Sequence, residues 1–316
     1  MSAPVSLARM QQLTTGIWLL GLLSWVGWWT AHGQMAVASV GALAWITGHA
    51  LWLGITFLMA WAVGRHDPAP KATAGQRLAA WWSEVRCAPR VFFWRQPFRA
   101  NAFPDALPAE AQGRIGLLLV HGFVCNRGLW NPWLRRFTMQ GVPVSAVSLE
   151  PVFGSIEDYV AQVEAAVLRL ELATGEKPLL VGHSMGGLAI RAWMRAHNGV
   201  ARVRGVVTVG TPHHGTWLGQ WSFSANGQQM RLGSDWLAQL AASETASSRR
   251  LFLCCYSHCD NIVFPASSAC LTGAQVCHVP ATAHIDLIHH PRVMAEVLAC
   301  LDRRQAGLDA CAPVPA

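Results

Sequence analysis

Apolar residues come in long runs ahead of about residue 100 and in short runs after it. From Met10 to Gly64 there are 55 residues without a formal charge. A helix needs about 20 mostly apolar residues to cross a bilayer, so this stretch predicts two spans, Leu13–Thr30 and Met35–Val63. The polar break Ala31-His32-Gly33-Gln34 joins them as a hairpin. The second run is longer than one crossing requires and can tilt or extend past the interface. A cleaved signal peptide has a shorter apolar core and is not followed at once by a second one, so both spans are expected to be retained.

Beyond residue 100 the period changes. Ile115–Val120, Val142–Leu149, Pro178–Val181, Val203–Val209, Leu251–Tyr256 and Gln275–Val279 are short apolar runs of the kind that form buried strands. Between them Trp130–Gln140, Ile156–Ala173 and Met185–His197 read as helices, and Pro291–Arg303 as a closing one. This alternation predicts an α/β fold, a mostly parallel sheet with helices on both faces. Residues 213–248 interrupt it with Trp217, Trp221, Phe223, Met230, Trp236 and Leu240 among small polar residues. They predict a lid insertion that folds over the sheet and lines an apolar site. Residues 72–100 mix Trp81, Trp82, Phe92, Phe93, Trp94 and Phe98 with arginines. Such a segment either lies along a membrane surface or packs on the following domain. The expected organisation is a two-helix transmembrane hairpin (1–64), a basic juxtamembrane linker (65–110), the α/β domain (111–305) and a loose tail (306–316).

Composition sharpens the picture. Hydrophobic residues make up 52% of the 316 and charged residues only 13%, about half the usual charged share. That excludes a disordered chain, a coiled coil and a collagen-like repeat. The net charge of +7 invites a nucleic-acid reading, but the charges are placed otherwise. Residues 65–100 hold seven Lys and Arg against Asp67 and Glu84, so most of the excess follows the second span. With Arg9 before the hairpin and no Lys or Arg in its loop, the positive-inside rule puts both ends in the cytoplasm. Ten of the sixteen tryptophans lie between Trp18 and Trp94, as interfacial anchors do. The basic stretch therefore faces anionic lipid, and no nucleic-acid partner is expected. The nine cysteines are odd in number and irregularly spaced, so they predict free thiols rather than a disulfide framework. On the other side of the membrane a Cys270–Cys277 bridge becomes plausible. Cys254, Cys255, His258 and Cys259 match no standard zinc spacing and are expected to be structural.

The chemistry centres on Gly182-His183-Ser184-Met185-Gly186, a G-x-S-x-G sequence between a strand-like and a helix-like run. Glycines two residues to either side let a sharp turn hold the serine hydroxyl at the sheet edge, at the start of a helix. A serine nucleophile needs a base, and the base needs an orienting acid. Of the downstream histidines, His284 follows the last strand-like run and precedes the closing helix. His289 and His290 adjoin Pro291 and read as the start of that helix. Asp260, just past Leu251–Tyr256, is the first choice of acid. Asp286 is only two residues from His284 and is the second, while Asp235 falls in the insertion. His121-Gly122-Phe123 follows the first strand, which nominates the backbone N–H groups of Phe123 and Met185 as an oxyanion hole. The ring of His121 is expected to brace that loop.

Gly182–Gly187, His121–Phe123, Thr211–Thr216 and Glu150–Ile156 together resemble bacterial lipases and esterases of the α/β-hydrolase superfamily. The resemblance covers about 113–303. It implies carboxyl-ester hydrolysis by Ser184, His284 and Asp260. The first hundred residues depart from the secreted-lipase pattern, and it is the hairpin with its basic flank that points to a bacterial inner membrane, a cytoplasmic catalytic domain and a lipid-like substrate. An acyltransferase or thioesterase on the same triad, and a non-catalytic binding module, remain as alternatives. Some relatives of this kind bind calcium through an aspartate at the position of Asp286. No further ligands are identifiable, and no metal or cofactor is assigned.

Overall fold

The structure, a computed structural model, describes residues 6–305; the expected tail at 306–316, with Cys311, lies outside them. Helices α1 (Leu7–Ala31) and α2 (Met35–Val63) form an antiparallel pair. Each gives the other a notch: Trp45 lies over Gly21, and Trp25 over Gly41, where a side chain would collide with the indole. Small residues let helices approach closely in this way. Among the described residues one helical stretch, Met35–His66, is long and apolar enough to cross a membrane. The expected first span falls short of that mark. The first half of helix α1 carries Arg9, Gln11, Gln12, Thr14 and Thr15, and its four tryptophans dilute the aliphatic residues.

The basic segment is not a free linker. Helix α3 (Ala74–Pro89) begins at a capping box made by Thr73 and Gln76. It runs through a wide π-type turn at Arg90–Arg95 into α4 (Gln96–Arg99). Pro89 lacks an N–H and clashes with the preceding turn, which accounts for the widening. Ala80, Glu84, Val91 and Gln96 are buried against the rest of the chain, while Leu78, Trp82, Phe93, Trp94 and Phe98 stay exposed. One face of the segment thus docks on the domain and the other remains apolar and open. Helix α1 joins in, with Gln11 bonded to the Gln96 side chain (3.2 Å) and Gln12 to the carbonyl of Pro97 (2.6 Å).

The domain then alternates strands β1 (Leu117–Val120), β2 (Val144–Ala146), β3 (Leu179–His183) and β4 (Gly205–Val209) with helices α5 (Asn131–Met139), α6 (Val160–Thr174) and α7 (Met185–Ala196). After an excursion through α8 (Ala225–Gln229), α9 (Asp235–Ala242) and α10 (Ala246–Arg249) come β5 (Phe252–Tyr256), β6 (Gln275–His278) and α11 (Pro291–Gln305). The six strands among the described residues are all parallel, in the order β2-β1-β3-β4-β5-β6. Successive strand residues point to opposite faces. Leu117, Leu119, Val181 and Val207 pack with α5 and α11, while Leu118, Val120, Leu180 and Val206 pack with α6 and α7. Cys254 and Cys255 follow the same rule, one in each core. The expected strand at Val142–Leu149 is ordered as β2 only over Val144–Ala146, and Ala106 bridges to Val144 in antiparallel sense.

Of the aromatic residues in the 213–248 excursion, Trp217 and Trp236 fasten it to the domain, while Trp221 and Phe223 are exposed. Trp217 stacks on Phe264 with centroids 6.0 Å apart, and the Trp236 indole N–H donates to Glu157 (2.7 Å). Asn226 donates to the carbonyl of Val152 (2.8 Å).

Candidate active site

Ser184, Asp260 and His284 follow the carboxyl ends of β3, β5 and β6, the edge where parallel α/β sheets bind ligands. Ser184 sits between β3 and α7 with φ 54° and ψ −129°, a conformation L-residues avoid. The surroundings hold it there. A Cβ at Gly182 would lie 2.6 Å from the N of Gly187, and one at Gly186 would strike the carbonyl oxygens of Val120 and His121. Any larger residue at either place would push strand and helix apart. The Ser184 N–H donates to Val209 O (2.9 Å), tying the turn to β4.

His284 Nδ1 lies 2.8 Å from Asp260 Oδ2. The other Asp260 oxygen accepts the N–H groups of Ile262 and Val263, both at 2.8 Å. With the carboxylate as acceptor, Nδ1 carries the hydrogen and Nε2 keeps its lone pair. Burial disfavours charging His284, but the charge and hydrogen bond of Asp260, with the charge of Glu84, outweigh it and raise the pKa. The His183 ring lies 4.7 Å from that of His284, and its Nε2 bonds the His284 carbonyl (3.2 Å). Burial holds the His183 pKa well below its ordinary value, so this ring is a neutral brace between the serine turn and the histidine loop.

The loop after β1 is braced as well. His121 Nε2 accepts the Leu149 N–H (2.8 Å), so Nδ1 must be the protonated nitrogen that donates to Gly122 O (2.8 Å). Burial pulls its pKa down to about 4, which keeps it the neutral ring this role needs. Met185 heads α7, where first-turn N–H groups have no partner within the helix.

Ser184, His284 and Phe123 share one cavity of about 360 Å³. Its opposite wall comes from the N-terminal segment: His49, Trp52 and Leu53 of α2, Glu84 of α3, and Phe92 and Phe93 of the wide turn. The expectation that residues 213–248 line this site is corrected, because none of them does. Trp217 and Trp236 anchor the excursion instead, and Trp221 and Phe223 are exposed.

Three contributors went unseen in the sequence. Asn261 accepts the His284 N–H (3.2 Å) and donates to Thr56 on α2 (3.1 Å). Glu84 accepts the N–H groups of Ile285 and Asp286, each at 3.2 Å. Asp67 accepts the Ser267 N–H (3.0 Å). A signal existed: Asp67 and Glu84 are the two acids of a strongly basic stretch, and both bond loops of the domain. Asp286, the second-choice acid, accepts the Ser83 hydroxyl (2.6 Å) instead of reaching His284 Nδ1. Among the described residues, no group of three or more His, Cys, Asp and Glu side chains could hold a metal ion.

Residues 117–258 match the alpha/beta hydrolase family. A Bacillus licheniformis lipase in its mature form superimposes with a TM-score of 0.54 at 17% identity, over 61% of this chain and 95% of that one. Aspergillus fumigatus lipase B gives 0.55 at 15% identity, over 63% of this chain and 55% of the fungal one. The chain therefore spans about half the length of the fungal lipase. Likeness at these identities shows the α/β-hydrolase fold. No curated protein matches the chain in sequence. Glu84, Asp260 and His284 all lie outside the residues matched to the family.

Proposed function

We propose that this α/β-hydrolase-fold chain is a membrane-anchored serine hydrolase that cleaves carboxyl esters of lipid-like substrates. One observation carries the reading: a buried His284–Asp260 pair opens on the same apolar cavity as a serine held on a strained strand-to-helix turn. Ser184 attacks the ester carbonyl, and His284 Nε2 takes its proton and passes it to the leaving alcohol. Asp260 fixes the tautomer and stabilises the imidazolium. The N–H groups of Phe123 and Met185 receive the oxyanion, each worth about 3 kcal/mol. Water activated by His284 then releases the acid.

The membrane reading is supported by the apolar stretch Met35–His66, by Leu51 and Leu58 exposed on it, and by the arginines that follow. In this reading α1 and α2 are a hairpin with both ends on the basic, cytoplasmic side of a bacterial inner membrane. The cavity extends the argument. Trp52 and Phe93 line it and are also 64% and 39% exposed, so its mouth lies on the apolar outer surface of the N-terminal segment. An acyl chain reaches Ser184 from the lipid phase through that mouth, without first crossing water.

Leu53→Trp fills the cavity and tests this. On a series of esters of rising acyl length, kcat/KM for a dodecanoyl ester falls relative to a butanoyl ester by roughly 10- to 200-fold, the range a crowded apolar pocket imposes. An equal loss on all lengths contradicts the acyl site. Wild-type protein inert toward every ester contradicts the function.

A further inference from the structure

We infer that Glu84 is a positioning residue of the active centre, which holds the backbone carrying His284 and adds a second carboxylate to the surroundings of its imidazole. The inference rests on the Ser184–His284–Asp260 reading and extends it to a side chain supplied by the N-terminal segment.

Helix α3 is otherwise a surface helix with Arg77 and Arg86 and an apolar outer face. Its one acid points inward and is 2% exposed. Oε1 and Oε2 take the N–H groups of Ile285 and Asp286, so one carboxylate spans the two amides that directly follow His284. The neighbouring Ser83 hydroxyl bonds Asp286. On the other side the His284 N–H donates to Asn261, which donates to Thr56 of α2. The histidine backbone is thus clamped between contacts that lead to α2 and α3.

Glu84 also lines the cavity that holds Ser184 and His284. No salt bridge pairs it with a Lys or Arg among the described residues. An acid so buried costs stability unless its charge is used or compensated. Burial raises its pKa to about 7, against the opposing pull of His284 and the two backbone N–H groups. The ionisable groups facing the pair are Asp260 and His183 from the domain, Asp286 on the histidine loop, Cys87 on α3 and His49 on α2. Burial keeps His183 neutral and pushes the Cys87 thiol up to about 12, so neither supplies charge near neutral pH.

The sign follows. Where it is ionised, above its own pKa of about 7, Glu84 raises the His284 pKa. The base must be neutral to accept the serine proton, so this charge moves the acid limb of kcat/KM to higher pH. In return it stabilises the imidazolium that forms during acyl transfer.

The test uses full-length protein and a water-soluble short-chain ester, with kcat/KM measured against pH. Glu84→Gln moves the acid limb down by at most about one unit, the lower end of what a neighbouring charge does, because Glu84 with its pKa of about 7 is only partly ionised there, and it lowers the plateau. Glu84→Asp, which keeps the charge, keeps the limb near the wild-type position. If Glu84→Gln folds poorly, Glu84→Met makes the same prediction for the limb. A Glu84→Gln or Glu84→Met limb that coincides with wild type overturns the inference, whatever happens to the plateau. Wild-type protein that neither turns over ester nor reacts with a fluorophosphonate overturns the underlying reading instead.

Discussion

Ser184→Ala will lose ester turnover by at least a thousandfold and keep its melting temperature. The size follows from the role. Removing the nucleophile of a serine–histidine–acid unit costs up to about 10⁶ in kcat, and what remains comes from binding and the oxyanion donors. The stability follows from the geometry. Alanine has no atom that serine lacks, and the strained turn is imposed by its neighbours, with the Ser184 N–H tied to Val209 O. Turnover and thermal melting on the same preparation check both halves. A loss of less than tenfold would remove Ser184 from the reaction.

Asp260→Asn should lower kcat by about 10⁴, the loss that a wrong histidine tautomer brings. Here the structure fixes which way the asparagine faces. The Asp260 oxygen that accepts the Ile262 and Val263 N–H groups must remain an oxygen, so the new amide NH₂ is forced toward His284 Nδ1. Nδ1 then has to accept, the ring hydrogen moves to Nε2, and that nitrogen can no longer take the serine proton. The fold should survive, because the two backbone bonds are kept. A kcat within tenfold of wild type would show that Asp260 does not orient the base.

The sheet was legible because strands β1 to β4 are buried on both faces and therefore read as short, continuous apolar runs. Edge strand β2 was read too long, since only Val144–Ala146 pairs in register with β1. The serine turn was legible because the bulk excluded at Gly182 and Gly186 is a local requirement that spacing records. Asp260 and His284 were reachable because a parallel sheet brings strand ends to one edge, whatever their separation along the chain.

The cavity was not legible. Its far wall depends on how α2, α3 and the wide turn dock on the domain, and docking leaves no periodic trace. Trp52 and Trp217 look alike in a sequence. One lines the cavity, whereas the other stacks on Phe264 and fastens the 213–248 excursion. Glu84 was counted as one charge in a basic stretch, yet its burial and its two amide partners set it apart from the arginines around it. The N-terminal segment therefore contributes to the candidate centre, and removing it would strip one wall of the cavity and a clamp of the histidine loop.

Full-length protein treated with a fluorophosphonate and analysed by peptide mass spectrometry gives the most direct trial of the hydrolase account. The account predicts a single covalent adduct on the Ser184 peptide, formed faster as pH rises through the His284 titration and absent from Ser184→Ala. Folded wild-type protein that stays unmodified, or carries the adduct on another residue, would contradict it.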